Sequence, residues 1–303
     1  SARGSAESGD GADAAVVGDS AIDGAGTRAS VSMVASPDRP AAVGVRTMTV
    51  VDPNRATPAR GSRPKTTSRS LALTVRYPTA GAVSDTEKAD AAPLGAAPLV
   101  IFGHGFQQSA ATYATLLHDL ASYGFVVVAP EFPMSSTVYA GTGDALEVPE
   151  QARDVAFLIT TLSGAASPIS GLVALGPVGL IGQSDGAVTA LLVGFSPKYG
   201  DARVGAVVAV SGDYNTFGGN WYTTLHPPVV AVHGEKDEVN PFYSSEWIVA
   251  HHPGSAMLVS VKGASHLGSV VDPANAHAVA RLAAFDFEWQ LAGATTAAAE
   301  TRA

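Results

Sequence analysis

The sequence contains no cysteine among its 303 residues. It therefore has no disulfide framework, and neither a thiolate nucleophile nor a thiolate metal site is available to it. Charged residues are scarce, at 15%, and the net charge is -9, with no basic run that could follow a phosphate backbone or anionic lipid. No apolar run approaches the roughly 18 residues of a membrane-spanning helix. The sequence thus indicates neither a nucleic-acid partner nor a membrane partner.

Large side chains are nearly absent from residues 1–43, which are mostly Ala, Gly, Ser and Asp. Such a segment cannot bury enough apolar surface to offset the entropy of ordering. We therefore predict a disordered tail or linker over 1–43, one folded domain over 44–293 and a C-terminal tail over 294–303. The chain opens on Ser1 without methionine, and a polar tail leading into a domain is typical of a secreted enzyme after signal removal. We therefore expect secretion.

Two hydrophobic patterns indicate the fold. Alternating apolar residues in RTMTVVDP and RSLALTVRYP predict a strand pair at a sheet edge. Short β-branched runs predict strands buried on both faces at 98–105, 124–132, 178–184, 204–212, 227–234 and 256–263. Amphipathic stretches predict helices at 109–124, 149–164, 185–195, 241–252 and 274–291. This alternation predicts an α/β fold, with a mostly parallel central sheet and helices on both faces.

Ser184 lies where a predicted strand ends and a predicted helix begins, in GLIGQSDGAVTALL. Gly182-Gln183-Ser184-Asp185-Gly186 matches the G-x-S-x-G pattern in the strand-to-helix context that this pattern requires. The flanking glycines permit a sharp turn with a strained serine, whose hydroxyl then stands clear of the sheet edge. Ser184 is the candidate nucleophile, and the alternative is a purely structural turn.

A serine nucleophile requires a base and a group that orients the base. Asp237 follows the strand PPVVAVHG, and His266 follows the next strand, so both should reach the same sheet edge as Ser184, in the chain order serine, acid, histidine. Asp213, after an earlier strand, is an alternative acid. For each carboxylate the alternative role is that of an ordinary loop residue that caps a turn.

Stabilising the oxyanion requires two backbone N–H groups. Asp185, after the nucleophile, would supply one, and Phe106 in FGHGFQQS would supply the other while its ring covers the substrate. Trp221 and the aromatic segment around it are candidates for the wall of the substrate cleft. Core or surface packing is the alternative role for both rings, and His104 is interpreted as a structural histidine.

From about Arg46 to about Leu291, these stretches resemble the α/β-hydrolase superfamily. Within it the chain is similar to the cap-less esterases grouped with chlorophyllases, dienelactone hydrolase-like enzymes and cutinase-like polyester hydrolases. It departs from dienelactone hydrolases, which use a cysteine, and from the usual chlorophyllase motif G-H-S-R-G. It also lacks the methionine after the serine and the C-terminal disulfide that are usual in bacterial cutinases.

The resemblance implies a serine carboxylic-ester hydrolase with an acyl-enzyme mechanism and no cofactor or metal, and we expect a monomer. Too few residues separate Gly212 from Pro227 for a helical cap, so we predict no cap domain and an open cleft. The alternatives are a polyester hydrolase of the poly(ethylene terephthalate) type or a lipase, then a thioesterase or peptidase, then a non-catalytic binding protein of the same fold. The substrate is a small-molecule or polymeric ester.

The side chain of Asp185 is a separate question, because a carboxylate beside an oxyanion site opposes the charge that develops there. One explanation is that it lies at the N-terminus of the following helix, where unpaired N–H groups and the helix dipole favour an anion. The alternative is that the carboxylate reaches the cleft and selects against anionic substrates.

Overall fold

A nine-stranded sheet forms the centre of the protein, and the computed structural model describes residues 33–217, 221 and 226–292. The strands are β1 (Ala42–Asp52), β2 (Arg69–Thr79), β3 (Lys88–Ala89), β4 (Leu99–Gly103), β5 (Val126–Glu131), β6 (Val178–Gln183), β7 (Val204–Val210), β8 (Val229–Gly234) and β9 (Ala256–Val261). Their order in the sheet is β3-β1-β2-β5-β4-β6-β7-β8-β9. Only the pairs β1 with β2 and β2 with β5 are antiparallel, so the predicted mostly parallel α/β sheet is confirmed.

Helices cover both faces of this sheet. They are α1 (Ala114–Ser122), α2 (Val148–Ser163), α3 (Asp185–Phe195), α4 (Tyr243–His251), α5 (Gly268–Val271) and α6 (Pro273–Leu291), with short 3-10 helices at Ala110–Tyr113 and Ala145–Glu147. The apolar residues of α2 and α3 belong to one buried cluster, and those of α1 and α6 belong to a second. Within the described ranges, no helix combines the length and hydrophobicity needed to cross a bilayer.

The last strand differs from the prediction of burial on both faces. β9 is the edge strand of the sheet, and among the described strands it pairs with β8 alone. Its residues are half-buried or exposed, and Met257 is 51% exposed. An edge position leaves part of a strand in solvent even when its sequence is as apolar as that of a central strand.

The start of the domain also differs from the prediction. β1 begins at Ala42, and Ala35 and Val43 are buried, although the composition assigned residues up to 43 to a tail. The Arg281 guanidinium of α6 donates hydrogen bonds to the Pro37 carbonyl and to the Asp38 carboxylate, at 3.2 and 2.6 Å. Some residues before 44 are therefore buried in the fold, although the domain was predicted to start at residue 44. The rest of the predicted N-terminal tail and the C-terminal tail lie outside the described residues.

A buried ion cluster fixes the strand pair β1–β2 to α2. Arg69 is 1% exposed, and its Nε and Nη2 atoms each lie 2.7 Å from an oxygen of Asp154. Its Nη2 also donates to Glu147 at 2.9 Å, at the end of the loop that follows β5. This pairing holds one end of that loop in place.

The parallel strands β4, β6, β7, β8 and β9 all end at the same edge of the sheet. In open α/β sheets this carboxyl edge is where ligands bind. The loops that carry Phe106, Ser184, Asp237 and His266 all begin there.

Candidate active site

Ser184 occupies a strained turn between β6 and α3. Its backbone has φ 55° and ψ -121°, a combination that residues with a side chain rarely adopt. A Cβ on Gly182 would overlap the backbone of Gly186, and a Cβ on Gly186 would overlap the carbonyl of Gly103 on β4. Both positions therefore require glycine, and together they hold the Ser184 side chain above the sheet edge.

Asp237 and His266 are in direct contact. His266 Nδ1 lies 2.8 Å from Asp237 Oδ2 and 2.9 Å from Oδ1, so Nδ1 carries the donated proton and Nε2 is free to accept one. Burial acts to raise the pKa of Asp237. Hydrogen bonds from His266 and from the N–H groups of Val239 and Asn240 outweigh it and hold this pKa below its ordinary value. The carboxylate is therefore ionised at neutral pH and fixes the imidazole.

The alternative acid, Asp213, has other partners. Its Oδ1 accepts hydrogen bonds from Ser244 Oγ at 2.9 Å and from the Tyr214 N–H at 2.8 Å. No hydrogen bond joins Asp213 to His266 in the part of the chain that the structure describes. Asp213 therefore caps its own turn, as its alternative role suggests.

A chain of hydrogen bonds connects the loop after β4 to the turn at Ser184. The Gly105 N–H donates to Tyr113 Oη at 3.1 Å, and Tyr113 Oη donates to Gln183 Oε1 at 2.8 Å. Gln183 Nε2 donates to the carbonyl of His266 at 3.3 Å. The residue before Ser184 thus connects the Phe106 loop and the His266 loop, and brings both beside the serine.

The two N–H groups expected to bind an oxyanion are not used elsewhere. Neither the Phe106 nor the Asp185 N–H donates a hydrogen bond to any described residue. The first N–H groups of a helix have no partner within it, and Asp185 is the first residue of α3. Both donors are therefore available for a ligand.

His104 is a structural residue. It is fully buried, its Nδ1 donates to the carbonyl of Gly105 at 2.8 Å, and its Nε2 accepts from the Phe132 N–H at 3.1 Å. Burial lowers the pKa of His104 to about 4, so it is neutral and both ring nitrogens are satisfied. It shapes the loop and is not free to transfer a proton.

His233 is a polar residue of this region that the sequence analysis missed. Its Nε2 lies 3.1 Å from Asp237 Oδ2 and 3.1 Å from the Asn240 carbonyl, and both the His233 and Asp237 side chains are fully buried. Ser245 Oγ lies 2.7 Å from Nδ1, and it donates there when the proton of His233 is on Nε2. Asp237 therefore contacts two histidines. The available signal was a histidine in an otherwise apolar strand, four residues before the acid.

The two aromatic candidates lie in the loops that follow β4 and β7. The Phe106 ring is half-buried and packs close to Gly143 in the loop after β5. Trp221 is half-buried, and its Nε1 donates to the Tyr214 carbonyl at 2.7 Å. The predicted substrate contacts of both rings stay predictions.

The Asp185 side chain begins α3, as predicted, but it does not cap the helix. No backbone N–H donates to its carboxylate, and Oδ2 is buried without a hydrogen-bond partner. Burial raises the pKa of Asp185 to about 6, although the nearby charge of His266 acts to lower it. The side chain therefore lies in the first turn of α3, where the helix dipole favours an anion, but it accepts no hydrogen bond from the helix.

Among the described residues, no three or more His, Asp or Glu side chains are arranged to hold a metal ion.

Comparisons with known proteins relate the chain to a family model and to two solved structures. The family model described as Chlorophyllase matches residues 89–235. A solved ferulic acid esterase from Streptomyces cinnamoneus has a TM-score of 0.67 at 23% identity, over 86% of this chain and 93% of its own. The esterase domain of a Rhodothermus marinus protein has a TM-score of 0.51 at 17% identity, over 80% of this chain and 98% of its own. No curated protein matches the sequence. At these identities the structural likeness shows the fold.

Proposed function

We propose that this α/β-hydrolase, whose family model and structural neighbours support an esterase, is a serine carboxylic-ester hydrolase that acts through Ser184, His266 and Asp237. The observation that carries the proposal is the pairing of His266 Nδ1 with the ionised Asp237 carboxylate at 2.8 Å. Gln183, the residue before Ser184, donates a hydrogen bond to the His266 carbonyl and so links the loop of His266 to the serine. This arrangement leaves Nε2 as the only nitrogen of His266 that can accept a proton.

The reaction begins when Ser184 Oγ attacks the ester carbonyl carbon and passes its proton to His266 Nε2. The oxyanion that forms accepts hydrogen bonds from the Phe106 and Asp185 N–H groups. His266 returns the proton to the departing alcohol oxygen, which leaves an acyl group on Ser184. Water then attacks this acyl group and gives its proton to His266, and the acid is released as Ser184 regains a proton. Asp237 stabilises the imidazolium in both halves of the reaction.

Ser184→Ala tests the proposal on short p-nitrophenyl esters. We expect kcat to fall by at least about 10³-fold while the thermal unfolding transition is unchanged, because the alanine removes only the nucleophile. A fluorophosphonate probe should label the native chain and fail to label the variant. Ser196→Ala, at the other end of α3, is the matched control and should be labelled normally. Retained hydrolysis by Ser184→Ala overturns the proposal.

An exposed aromatic group favours a bulky or polymeric aromatic ester as a second, narrower candidate. Tyr214 follows Asp213 at the same sheet edge, is 37% exposed and stacks on Trp247 with ring centroids 4.9 Å apart. Trp247 stacks in turn on His251, at 4.2 Å. Aromatic faces of this kind pack well against flat apolar groups. Secretion, expected from the N-terminal composition, would suit a polymeric substrate.

A chain-length series of soluble esters, with one polymeric aromatic ester added, tests this narrower candidate. Tyr214→Ala should then reduce release from the polymer by several-fold more than it reduces hydrolysis of a short ester. Equal reductions would argue against a role for the aromatic group in polymer binding. Comparing thioester and aminoacyl-amide substrates separates an esterase from a thioesterase or peptidase.

A further inference from the structure

The carboxylate of Asp185 is unpaired within a region that is otherwise well hydrogen-bonded. Gln183, Tyr113 and His266 all have hydrogen-bond partners, whereas Asp185 Oδ2 is buried and accepts no hydrogen bond from any described residue. A buried polar group without a partner costs free energy and requires an explanation. Helix capping does not supply one, because no helix N–H donates to this side chain.

The surroundings do not neutralise this charge. Asp185 forms no salt bridge with a described Lys or Arg, and the groups close enough to affect its electrostatics are the His266 imidazole and the Tyr113 hydroxyl. The loops after β6, β7, β8 and β9 carry five carboxylates and two lysines between 184 and 267 at this edge: Asp185, Asp213, Glu235, Asp237, Glu238, Lys236 and Lys262. Both lysines are exposed. These four loops therefore carry more negative than positive charge.

We propose that Asp185 is a specificity-determining residue whose unpaired carboxylate makes the site prefer esters with a cationic group near the carbonyl, accept neutral esters less well and reject anionic ones. This inference rests on the proposed esterase function. It assigns the side chain of Asp185 a role in substrate selection that is separate from the role of its backbone N–H in binding the oxyanion.

The expected size follows from the position of Asp185 next to the nucleophile. A substrate group close to the Ser184-bound carbonyl lies within about 10 Å of the carboxyl of the adjacent residue. A unit charge at that distance, in a medium of effective dielectric about 20, changes a rate constant by on the order of tenfold. Low-dielectric walls around a cleft maintain such an effect at moderate salt.

Three aryl acetates that differ in charge test this proposal: 4-(trimethylammonio)phenyl acetate, 4-tert-butylphenyl acetate and 4-acetoxybenzenesulfonate. Their kcat/KM values are measured at pH 8, where Asp185 is ionised, for the native chain and for Asp185→Asn. Dividing the kcat/KM of the native chain by that of the variant for each ester cancels the differences in intrinsic reactivity between the esters. We expect Asp185→Asn to lower the kcat/KM of the cationic ester relative to the neutral one about tenfold, and to raise that of the anionic ester relative to the neutral one by a similar factor.

Two further variants separate charge from structure. Asp185→Glu keeps the charge and should keep the cationic preference, even if its total activity is lower. Asp201→Asn removes a carboxylate at the start of β7, at the opposite edge of the sheet, and should leave all the ratios unchanged. Thermal unfolding of each variant verifies that it is folded.

Ratios that change by less than twofold in Asp185→Asn overturn the inference while leaving the esterase proposal intact. A native chain that hydrolyses none of the three acetates, and that no fluorophosphonate labels, overturns the esterase proposal and this inference with it. Loss of the charge preference in Asp185→Glu would also overturn the inference, because it would show that side-chain shape rather than charge determines specificity.

Discussion

Replacing Tyr113 with phenylalanine tests whether a buried hydroxyl holds the loop of Phe106 in the position that the proposed mechanism requires. Tyr113 is 1% exposed, and its hydroxyl is the only atom between the Gly105 N–H and Gln183 Oε1 in the chain of hydrogen bonds that joins this loop to the turn at Ser184. Burial raises the pKa of Tyr113 well above its ordinary value, so the hydroxyl is neutral and can donate. The phenylalanine ring fills nearly the same space without it.

Two buried groups lose their partner in Tyr113→Phe, the Gly105 N–H and Gln183 Oε1. Each unsatisfied group costs about 1–3 kcal/mol, and since relaxation recovers part of this we expect the free energy of unfolding to fall by about 2–4 kcal/mol. Complete loss of an oxyanion donor lowers kcat by about 10²–10³-fold. Because the Phe106 N–H is loosened rather than removed, we expect kcat to fall about tenfold with little change in KM.

The assay combines denaturant unfolding with initial rates on a short p-nitrophenyl ester. Tyr123→Phe, at the end of α1, removes a hydroxyl from a half-buried tyrosine outside this hydrogen-bond chain and should change neither quantity appreciably. A loss of stability in Tyr113→Phe without a change in kcat would show that the hydroxyl supports the fold alone. Tyr113 would then have no role in positioning the loop of Phe106 for catalysis.

Two other predictions follow from buried polar groups. His233→Phe keeps a ring next to Phe242 but removes the hydrogen-bond donor to Asp237. Since a hydrogen bond to a charged group contributes about 1.5–3 kcal/mol, kcat should fall at least about tenfold at unchanged KM. Ser245→Ala should have a smaller effect on kcat, and an unchanged kcat in His233→Phe would contradict a positioning role for His233. In α6, burial raises the pKa of Asp286 from 3.8 to about 6 against an opposing hydrogen bond from Gln290, so its ionised form destabilises the fold. The native state then binds this proton more tightly, and stability falls as the pH rises from about 4 to 6. The free energy of unfolding of Asp286→Asn should therefore exceed that of the native chain by about 1–3 kcal/mol at pH 8 and should equal it near pH 4. Denaturant titrations at the two pH values measure this difference, and equal stability at pH 8 would contradict the expectation.

The central strands could be predicted from sequence because their residues are buried on both faces. Runs such as GFVVVAPEF leave no exposed positions, and β5 is fully buried. β9 has a similar sequence, but its place at the sheet edge depends on the order of all the other strands, which no local pattern contains. β3 is two residues long and pairs with β1 through only two positions, so it has no periodicity to detect.

In the candidate site too, some residues could be predicted from sequence and others could not. Ser184, Asp237 and His266 could be placed from sequence because each follows a recognisable strand and because parallel strands end at one edge. Tyr113 and Gln183 could not, since they are 70 residues apart and their hydrogen bond depends on where the 3-10 helix that ends at Tyr113 lies relative to the end of β6. His233 was missed because its partner, Asp237, lies beyond the turn at the end of β8, and the turn geometry decides whether the two side chains meet.

The unusual residue of the nucleophile turn, Asp185, shows how the structure can change the meaning of a local pattern. An aspartate at the start of a helix is ordinarily explained by capping, and that explanation needs a donor for the carboxylate. Here the Asp185 carboxylate has no such donor, and the proposed oxyanion would add a second negative charge beside it. Burial without a hydrogen-bond partner makes the ionised Asp185 carboxylate a cost to the fold, which the dipole of α3 only partly offsets. Asp185→Asn therefore has two expected effects. Loss of the charge should raise the free energy of unfolding, and it should remove the preference for cationic esters.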